Sequence, residues 1–321
     1  MKPLFKARLF FVIIFFSVGI SLFESCSKAT PIAQLEYKIA AQLGEGALWN
    51  HKTNEFYWVD IEGKTFYVYN PQTKENRSYP LPSRVGTVVP YTETEAVLAL
   101  EDGIYTIDLN TKALNRISDV EATMTQNRFN DGKCDPAGNL WVGSMHLEQS
   151  APEANLYKVN TNGEATQMLD NITISNGIVW TKDAATMYYI DTPTGQIQAF
   201  DYDKKTATIT NGRVAITVPE SLGYPDGMTI DDNDKLWVGL WNGNAVAQFD
   251  PLDGSLLQKI EVPAHNVTAA AFGGPDLETL YITTASVDMT PEEKEQYPLA
   301  GSIFMVKVSG VKGVNANFFG Q

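Results

Sequence analysis

Short apolar segments separated by polar turn residues recur along most of the chain, a pattern typical of β-strands. A segment rich in aromatic and β-branched residues recurs six times, at intervals of 41 to 49 residues. A turn and a second apolar segment follow each of them, and Asp, Gly and Asn fill the turns, as tight β-turns require. The six segments are FYWVD at Phe56, VLALE at Val97, LWVGS at Leu140, MYYID at Met187, LWVGL at Leu236 and LYITT at Leu280.

This repeat predicts the fold. A unit of about 45 residues is large enough for a four-stranded sheet, and six even units are typical of a six-bladed β-propeller. No segment has a long apolar pattern at the helical period, so the fold class is all-β, and no linker divides residues 35–321, which predicts one domain. The segment Leu35–Leu43 belongs to no repeat. We expect it to pair in the last blade and close the ring.

Polar residues recur at one phase of the repeat, 10 or 11 residues before four of these segments. Equivalent positions of a propeller form a ring around its axis, so we expect these side chains to converge at the mouth of the central channel, just before the innermost strands. Asn-Gly and Asp-Gly are also ordinary turn dipeptides, but their recurrence in phase favours a site. The four residues are Glu45, Asn130, Asn176 and Asp226.

The chemistry of this ring suits a hard cation, because such ions prefer carboxylate and amide oxygens. Arg128 lies two residues before Asn130, which returns to the same face of a strand. A guanidinium there suits recognition of oxygen-rich or anionic groups.

Composition narrows the function classes. The chain has 321 residues, with 24 Lys and Arg against 38 Asp and Glu, a net charge of −14. An acidic surface repels phosphate backbones, so nucleic acid is excluded as a partner. With three His and two Cys, any metal should be held by oxygen, which favours calcium, magnesium or manganese.

The first residues are typical of an export signal. Positive residues precede an apolar run over 9–23, which is short for a membrane span. We predict a signal peptide over residues 1–25, because Leu22–Cys26 resembles a bacterial lipoprotein box. Cys26 would then be lipidated, with residues 26–34 as lipidated Cys and tether. An uncleaved anchor and a plain secreted form stay open. All three interpretations predict that the domain is exported. The lipoprotein interpretation places it in the cell envelope, facing the periplasm or the outer surface, with membrane contact only through the lipid.

Four motifs resemble the gluconolactonase/regucalcin (senescence marker protein) family. They are GEGALW at 44–49, RFNDGKCDPAGNLWVGSM at 128–145, ISNGIVW at 174–180 and PDGMTID at 225–231. The resemblance implies a six-bladed propeller with one catalytic divalent metal, held by Glu45, Asn176 and Asp226. It also implies substrate binding by Arg128, Asn130 and Glu148. Whether Glu148 or His146 contacts the substrate stays open.

The polar ring and the family resemblance together imply a divalent-metal-dependent hydrolase that opens a sugar lactone, with Asp226 as general base. Oxygen-only ligands favour calcium, with zinc, manganese and magnesium as alternatives. Other esters or phosphoesters stay open as substrates. The alternatives to an enzyme are an exported, metal-stabilised propeller that binds a sugar-like ligand without turnover, and a calcium sensor. We expect a monomer.

Overall fold

The strands form a ring of six antiparallel sheets. The structure, a computed structural model, describes residues 30–321, and within that range six four-stranded sheets surround a central axis. This is a six-bladed β-propeller, as the repeat predicts. No helix in this part of the chain is long and apolar enough to cross a membrane.

The strands are given by blade. The chain starts with β1 (Gln34–Tyr37), which belongs to blade six. Blade one is β2 (Gly44–Asn50), β3 (Glu55–Asp60), β4 (Thr65–Asn70) and β5 (Glu75–Pro80); blade two is β6 (Val85–Pro90), β7 (Glu95–Leu100), β8 (Gly103–Asp108) and β9 (Leu114–Ser118); blade three is β10 (Asn127–Cys134), β11 (Leu140–His146), β12 (Ala154–Val159) and β13 (Ala165–Ile172).

Blade four is β14 (Ser175–Trp180), β15 (Thr186–Asp191), β16 (Gln196–Asp203) and β17 (Thr208–Thr217); blade five is β18 (Tyr224–Ile230), β19 (Leu236–Trp241), β20 (Ala245–Phe249) and β21 (Leu256–Glu261); blade six is β22 (Asn266–Gly273), β23 (Thr279–Ala285), β24 (Ile303–Lys307) and β1. The helix α1 (Pro291–Gln296) and two 3-10 turns, Thr192–Thr194 and Glu220–Leu222, complete the elements.

The ring closes as expected, with β1 pairing antiparallel to β24 in the last blade. The strand is shorter than the predicted Leu35–Leu43, because the chain leaves the ladder after Tyr37 and Ile39 bonds the Ser302 hydroxyl instead. The first described residues also differ from the prediction. The backbone of Pro31 and Ala33 hydrogen-bonds to Glu261 in blade five, so the described end of the predicted tether is bound to the propeller.

The innermost strands are not the ones that the sequence makes most visible. The six recurrent segments are the second strands of the blades, β3, β7, β11, β15, β19 and β23, and β2, β6, β10, β14, β18 and β22 line the axis. The innermost strands interrupt their apolar residues with Gly and polar residues, as in GEGALWN and SNGIVW, whereas apolar runs such as FYWV and MYYI make the second strands easier to recognise in the sequence. The polar ring therefore lies within the innermost strands rather than before them.

Large aromatic side chains hold neighbouring blades together. The indole of Trp49 stacks on Tyr281, which joins blade one to blade six, with ring centres 5.5 Å apart. Trp141 meets Trp180 edge to face at 5.8 Å between blades three and four. These rings bury large apolar areas, so the core lies between the sheets as well as within them.

The C-terminal tail crosses one end of the channel. We call the end where the innermost strands begin the upper end, and the end where they finish the lower end. The tail, residues 312–321, runs across the lower end, and Phe318 and Phe319 are buried in it. Its hydrogen bonds reach five blades, through Asp232, Leu277, Cys134, Pro90, Gly138 and Lys52. The tail thus ties the blades together and covers part of the lower opening.

Candidate metal and substrate site

A β-bulge near the upper end of each innermost strand aims side chains at the axis. In five blades two residues of the innermost strand oppose one residue of its neighbour, and in blade two Gly86 is the extra residue. A bulge breaks the ladder locally and redirects a side chain. The first residues of the five bulges are Gly46, Asn130, Asn176, Asp226 and Thr268.

Three of the four predicted residues therefore occupy equivalent positions in their blades, and the fourth is offset by one residue. Asn130, Asn176 and Asp226 occupy equivalent bulge positions, whereas Glu45 precedes its bulge by one residue. Gly46 stands at the bulge itself, with a φ of 64°, which suits glycine. All four polar side chains are buried.

A chain of hydrogen bonds joins blades three, four and five across the site. The Arg128 guanidinium donates to Asn130 Oδ1 at 2.6 Å, and Asn130 Nδ2 donates to Asn176 Oδ1 at 3.2 Å. Asn176 Nδ2 donates to Thr192 Oγ1 at 2.8 Å, and Thr192 Oγ1 donates to the Pro225 carbonyl, next to Asp226. Arg128, Asn130 and Asn176 are thus brought together as predicted, and Thr192, which the sequence did not single out, orients the Asn176 amide.

The two carboxylates, Glu45 and Asp226, are buried, and the pKa of each is raised. Burial, together with the negative charge of Asp131, raises the pKa of Glu45 to about 8. Burial and the nearby charge of Glu45 raise the pKa of Asp226 well above its ordinary value. Burial also lowers the pKa of Arg128, to about 10. Glu45 and Asp226 therefore share a site in which their negative charge is poorly compensated.

A third buried carboxylate, Asp131, was not identified from the sequence. It is the second residue of the bulge in blade three, where the other bulges have only Gly or Ala. Its Oδ1 accepts from the Gly132 N–H at 2.7 Å, and its Oδ2 has no hydrogen-bond partner among residues 30–321. An acidic residue at a position otherwise occupied by small residues was the signal that could have found it.

The residues fit a hard divalent cation. Within the described residues, no three His, Cys, Asp or Glu side chains cluster as a metal site would require. The predicted set has only two such side chains, because its third member is the amide of Asn176. Asp226 Oδ1 is buried and has no hydrogen-bond partner in the described part of the chain. Leaving a buried carboxylate oxygen unpaired is costly, and a cation would remove that cost.

Glu148 and His146 lie apart from this hydrogen-bond chain. Glu148 is exposed in the turn after β11, and its N–H donates to His146 Nδ1 at 3.2 Å. His146 pairs with Asn127 at the start of β10, so His146 and the nearby Glu148 both lie at the upper end. Neither bonds to Arg128 or Asn130 in the structure over residues 30–321, and their role in substrate binding stays a prediction. The predicted lipidation site, Cys26, lies outside the described residues.

Fold and site together define a class of protein: a six-bladed propeller with buried carboxylates and amides around the upper end of its axis. Residues 43–286 match the family described as SMP-30/Gluconolactonase/LRE-like region. The chain therefore belongs to that family.

Similar proteins include named lactonases and regucalcins. The Bacillus subtilis protein "Putative sugar lactone lactonase YvrE" is 40% identical over 276 residues, which cover 86% of this chain and 94% of that protein. Regucalcin of Danio rerio is 35% identical over 275 residues, 85% of this chain and 93% of its own. The solved structure of a regucalcin from Agrobacterium tumefaciens, described as a calcium-binding protein, superposes with a TM-score of 0.87 at 25% identity, over 91% of this chain and all of that one.

Proposed function

We propose that the protein hydrolyses a sugar lactone and needs a divalent cation to do so. The observation that carries the proposal is the buried oxygen of Asp226 beside Glu45 and Asn176, which has no partner among the described residues, in a chain one of whose relatives is named a putative sugar lactone lactonase. Catalysis of this kind requires a group that activates water and groups that stabilise the developing oxyanion.

Glu45, Asn176 and Asp226 would hold the cation through their oxygens, and calcium suits them best. A divalent cation bound there would polarise the lactone carbonyl and make a water molecule more acidic. The amide of Asn176 is held for this task by Asn130 and Thr192.

Asp226 would act as general base. It would take a proton from the attacking water while the oxygen of that water bonds to the carbonyl carbon. The ring C–O bond then breaks, and the leaving alkoxide takes the proton back from Asp226 to become the free hydroxyl. The product is a hydroxy acid, which releases a proton at neutral pH.

Arg128 and Asn130 would bind substrate oxygens. The Arg128 guanidinium is buried beside the site and already donates to Asn130 Oδ1, so its planar donors are fixed before substrate arrives. Glu148, at the same end and exposed, would contact a hydroxyl of the sugar from the rim.

The test is proton release from a panel of sugar lactones by the purified protein, first stripped with a chelator and then given calcium, zinc, manganese or magnesium in turn. We expect turnover only after an ion is restored. Turnover that survives chelation would contradict metal dependence. Thermal stabilisation by an ion without any turnover would favour the non-enzymatic propeller, which binds a sugar-like ligand.

We also propose that the protein is exported and anchored through a lipid on Cys26. The support is the sequence alone: a positive start, a short apolar run and a lipoprotein-like box. Labelling of cells with an alkyne fatty acid should tag the wild type and not Cys26→Ser. Equal labelling of the two would overturn the proposal.

A further inference from the structure

The lower half of the central channel contains a cavity of about 300 Å³. Its walls come from the last residues of β2, β10, β14, β18 and β22, and residues 314–317 of the tail close one side. Trp49, in the cavity wall, is four residues along β2 from Glu45. Trp49 thus lies roughly 13 Å along the strand from Glu45, since a strand rises about 3.3 Å per residue, and the cavity extends from there back to Ala47.

The charge of this cavity is opposite to that of the protein. Lys133, Lys182 and Lys204 line it, and none of its lining residues is Asp or Glu. The chain as a whole carries −14. None of these three lysines forms an ion pair with another residue in the range 30–321. A cleft lined by charge of one sign concentrates ions of the other sign.

The walls between the lysines are apolar and aromatic. Trp49, Trp180 and Phe272 line the cavity together with Val314 of the tail. Such walls bury an apolar ligand body, and a few polar groups then fix its orientation. Asn315 and Asn317 supply amides on the tail side.

Lys133 separates the cavity from the acidic site. Its ammonium reaches from β10 to the Met228 carbonyl of β18, so it spans the channel between blades three and five. A ligand in the cavity would therefore meet an ammonium at the inner end and the more exposed Lys182 and Lys204 at the outer end.

From these observations we infer that the lower cavity is a second ligand site, which binds a small organic carboxylate with an apolar body. The carboxylate lies toward Lys182 and Lys204, and the apolar body lies against Trp49 and Trp180. This inference does not depend on the proposed hydrolase activity, because no residue of the upper site takes part in it.

The test is calorimetric titration of the purified protein with 2-naphthoate and with its uncharged counterpart, 2-naphthamide. We expect one molecule of 2-naphthoate per chain. The double variant Lys182→Gln/Lys204→Gln should bind it at least about fivefold more weakly, as expected for loss of two exposed charge contacts. The matched control, Lys38→Gln/Lys205→Gln, removes the same charge from two exposed lysines outside the cavity and should bind as the wild type does.

Two comparisons complete the test. The amide should bind at least about fivefold more weakly than the acid in the wild type. Asp226→Asn should bind 2-naphthoate as the wild type does, which would separate this site from the upper one. The inference is overturned by undetectable binding, by equal affinity for acid and amide, by equal losses in the two lysine pairs, or by loss of binding in Asp226→Asn.

Discussion

The two ends of one channel have opposite chemistry, although the same strands build both. At the upper end Glu45, Asp131 and Asp226 are buried; the charge of Asp131 raises the pKa of Glu45, and the charges of Glu45 and Asp131 raise the pKa of Asp226. At the lower end lysines line a cavity that has no acidic residue. The repeat supplies the scaffold at both ends, so the difference arises from single residues at particular heights along the innermost strands.

The two ends also differ in how the side chains are held. The upper end uses a bulge in every innermost strand, and its polar groups are fixed by hydrogen bonds between blades. The lower end is partly covered by the C-terminal tail, and the hydrogen-bond partners of the tail lie far from it in the sequence. Changes at the upper end should therefore act mainly on catalysis, and changes in the tail at the lower end should act mainly on stability.

The largest effect expected is from Asp226→Asn, which keeps the size of the side chain and removes the base. We expect kcat for lactone hydrolysis to fall by about 10³-fold. Arg128→Lys should instead act mainly on KM, because it impairs capture of the substrate. Steady-state kinetics with calcium present would measure both, with Lys205→Gln as a surface control. Wild-type turnover in Asp226→Asn would show that another group activates water.

At the lower end, Phe319→Ala should cost stability rather than catalysis. Phe319 is fully buried in the tail, and removing such a ring leaves a cavity, so the free energy of unfolding should fall by about 3 kcal/mol. Denaturant unfolding measures this. Leu252→Ala, at a side chain 86% exposed, should change the same quantity by less than about 0.5 kcal/mol. Equal effects of the two variants would mean that the tail does not hold the ring.

The metal-free protein should lose stability as pH rises. The pKa of Glu45 is raised in the folded state, from 4.5 to about 8. Between these values the folded chain keeps a proton that the unfolded chain has released, so folding is favoured at the low end and this advantage is lost toward pH 8. The slope for one such group is at most about 1.4 kcal/mol per pH unit. Chelator-treated Glu45→Gln should show a shallower slope in unfolding experiments from pH 5 to 8, and an unchanged slope would assign the effect to other groups.

The smallest effect expected is on metal affinity. Asp131 lies close enough to affect the pKa of Glu45 and of Asp226, so Asp131→Asn should weaken calcium binding by about tenfold, the range seen when outer groups of a metal site are removed. Calcium titration by calorimetry measures it. Asp170→Asn removes the same charge from an exposed position and should leave the affinity unchanged. If both variants lose affinity equally, only the overall charge of the protein matters.

Much of the fold was predictable because the second strand of every blade contains a short apolar run that recurs at a regular interval. The segments at Phe56, Leu140 and Leu236 therefore predicted the number of blades, and the unmatched segment near Leu35 predicted the closure. Part of the site was predictable for the same reason, because equal phase in a repeat means equal height on the axis. Asn130, Asn176 and Asp226 follow that rule.

The rest required the three-dimensional structure. The bulges that aim the ring depend on pairing between strands, so the offset of Glu45 and the buried position of Asp131 were not visible along the chain. The lower cavity joins residues from five blades and the tail, and no local pattern connects Lys133 with Lys204. The sequence by itself determined the repeat and the phase of its polar residues, because both are periodic. Only the tertiary structure decided which charges meet, because their encounter depends on closure of the ring.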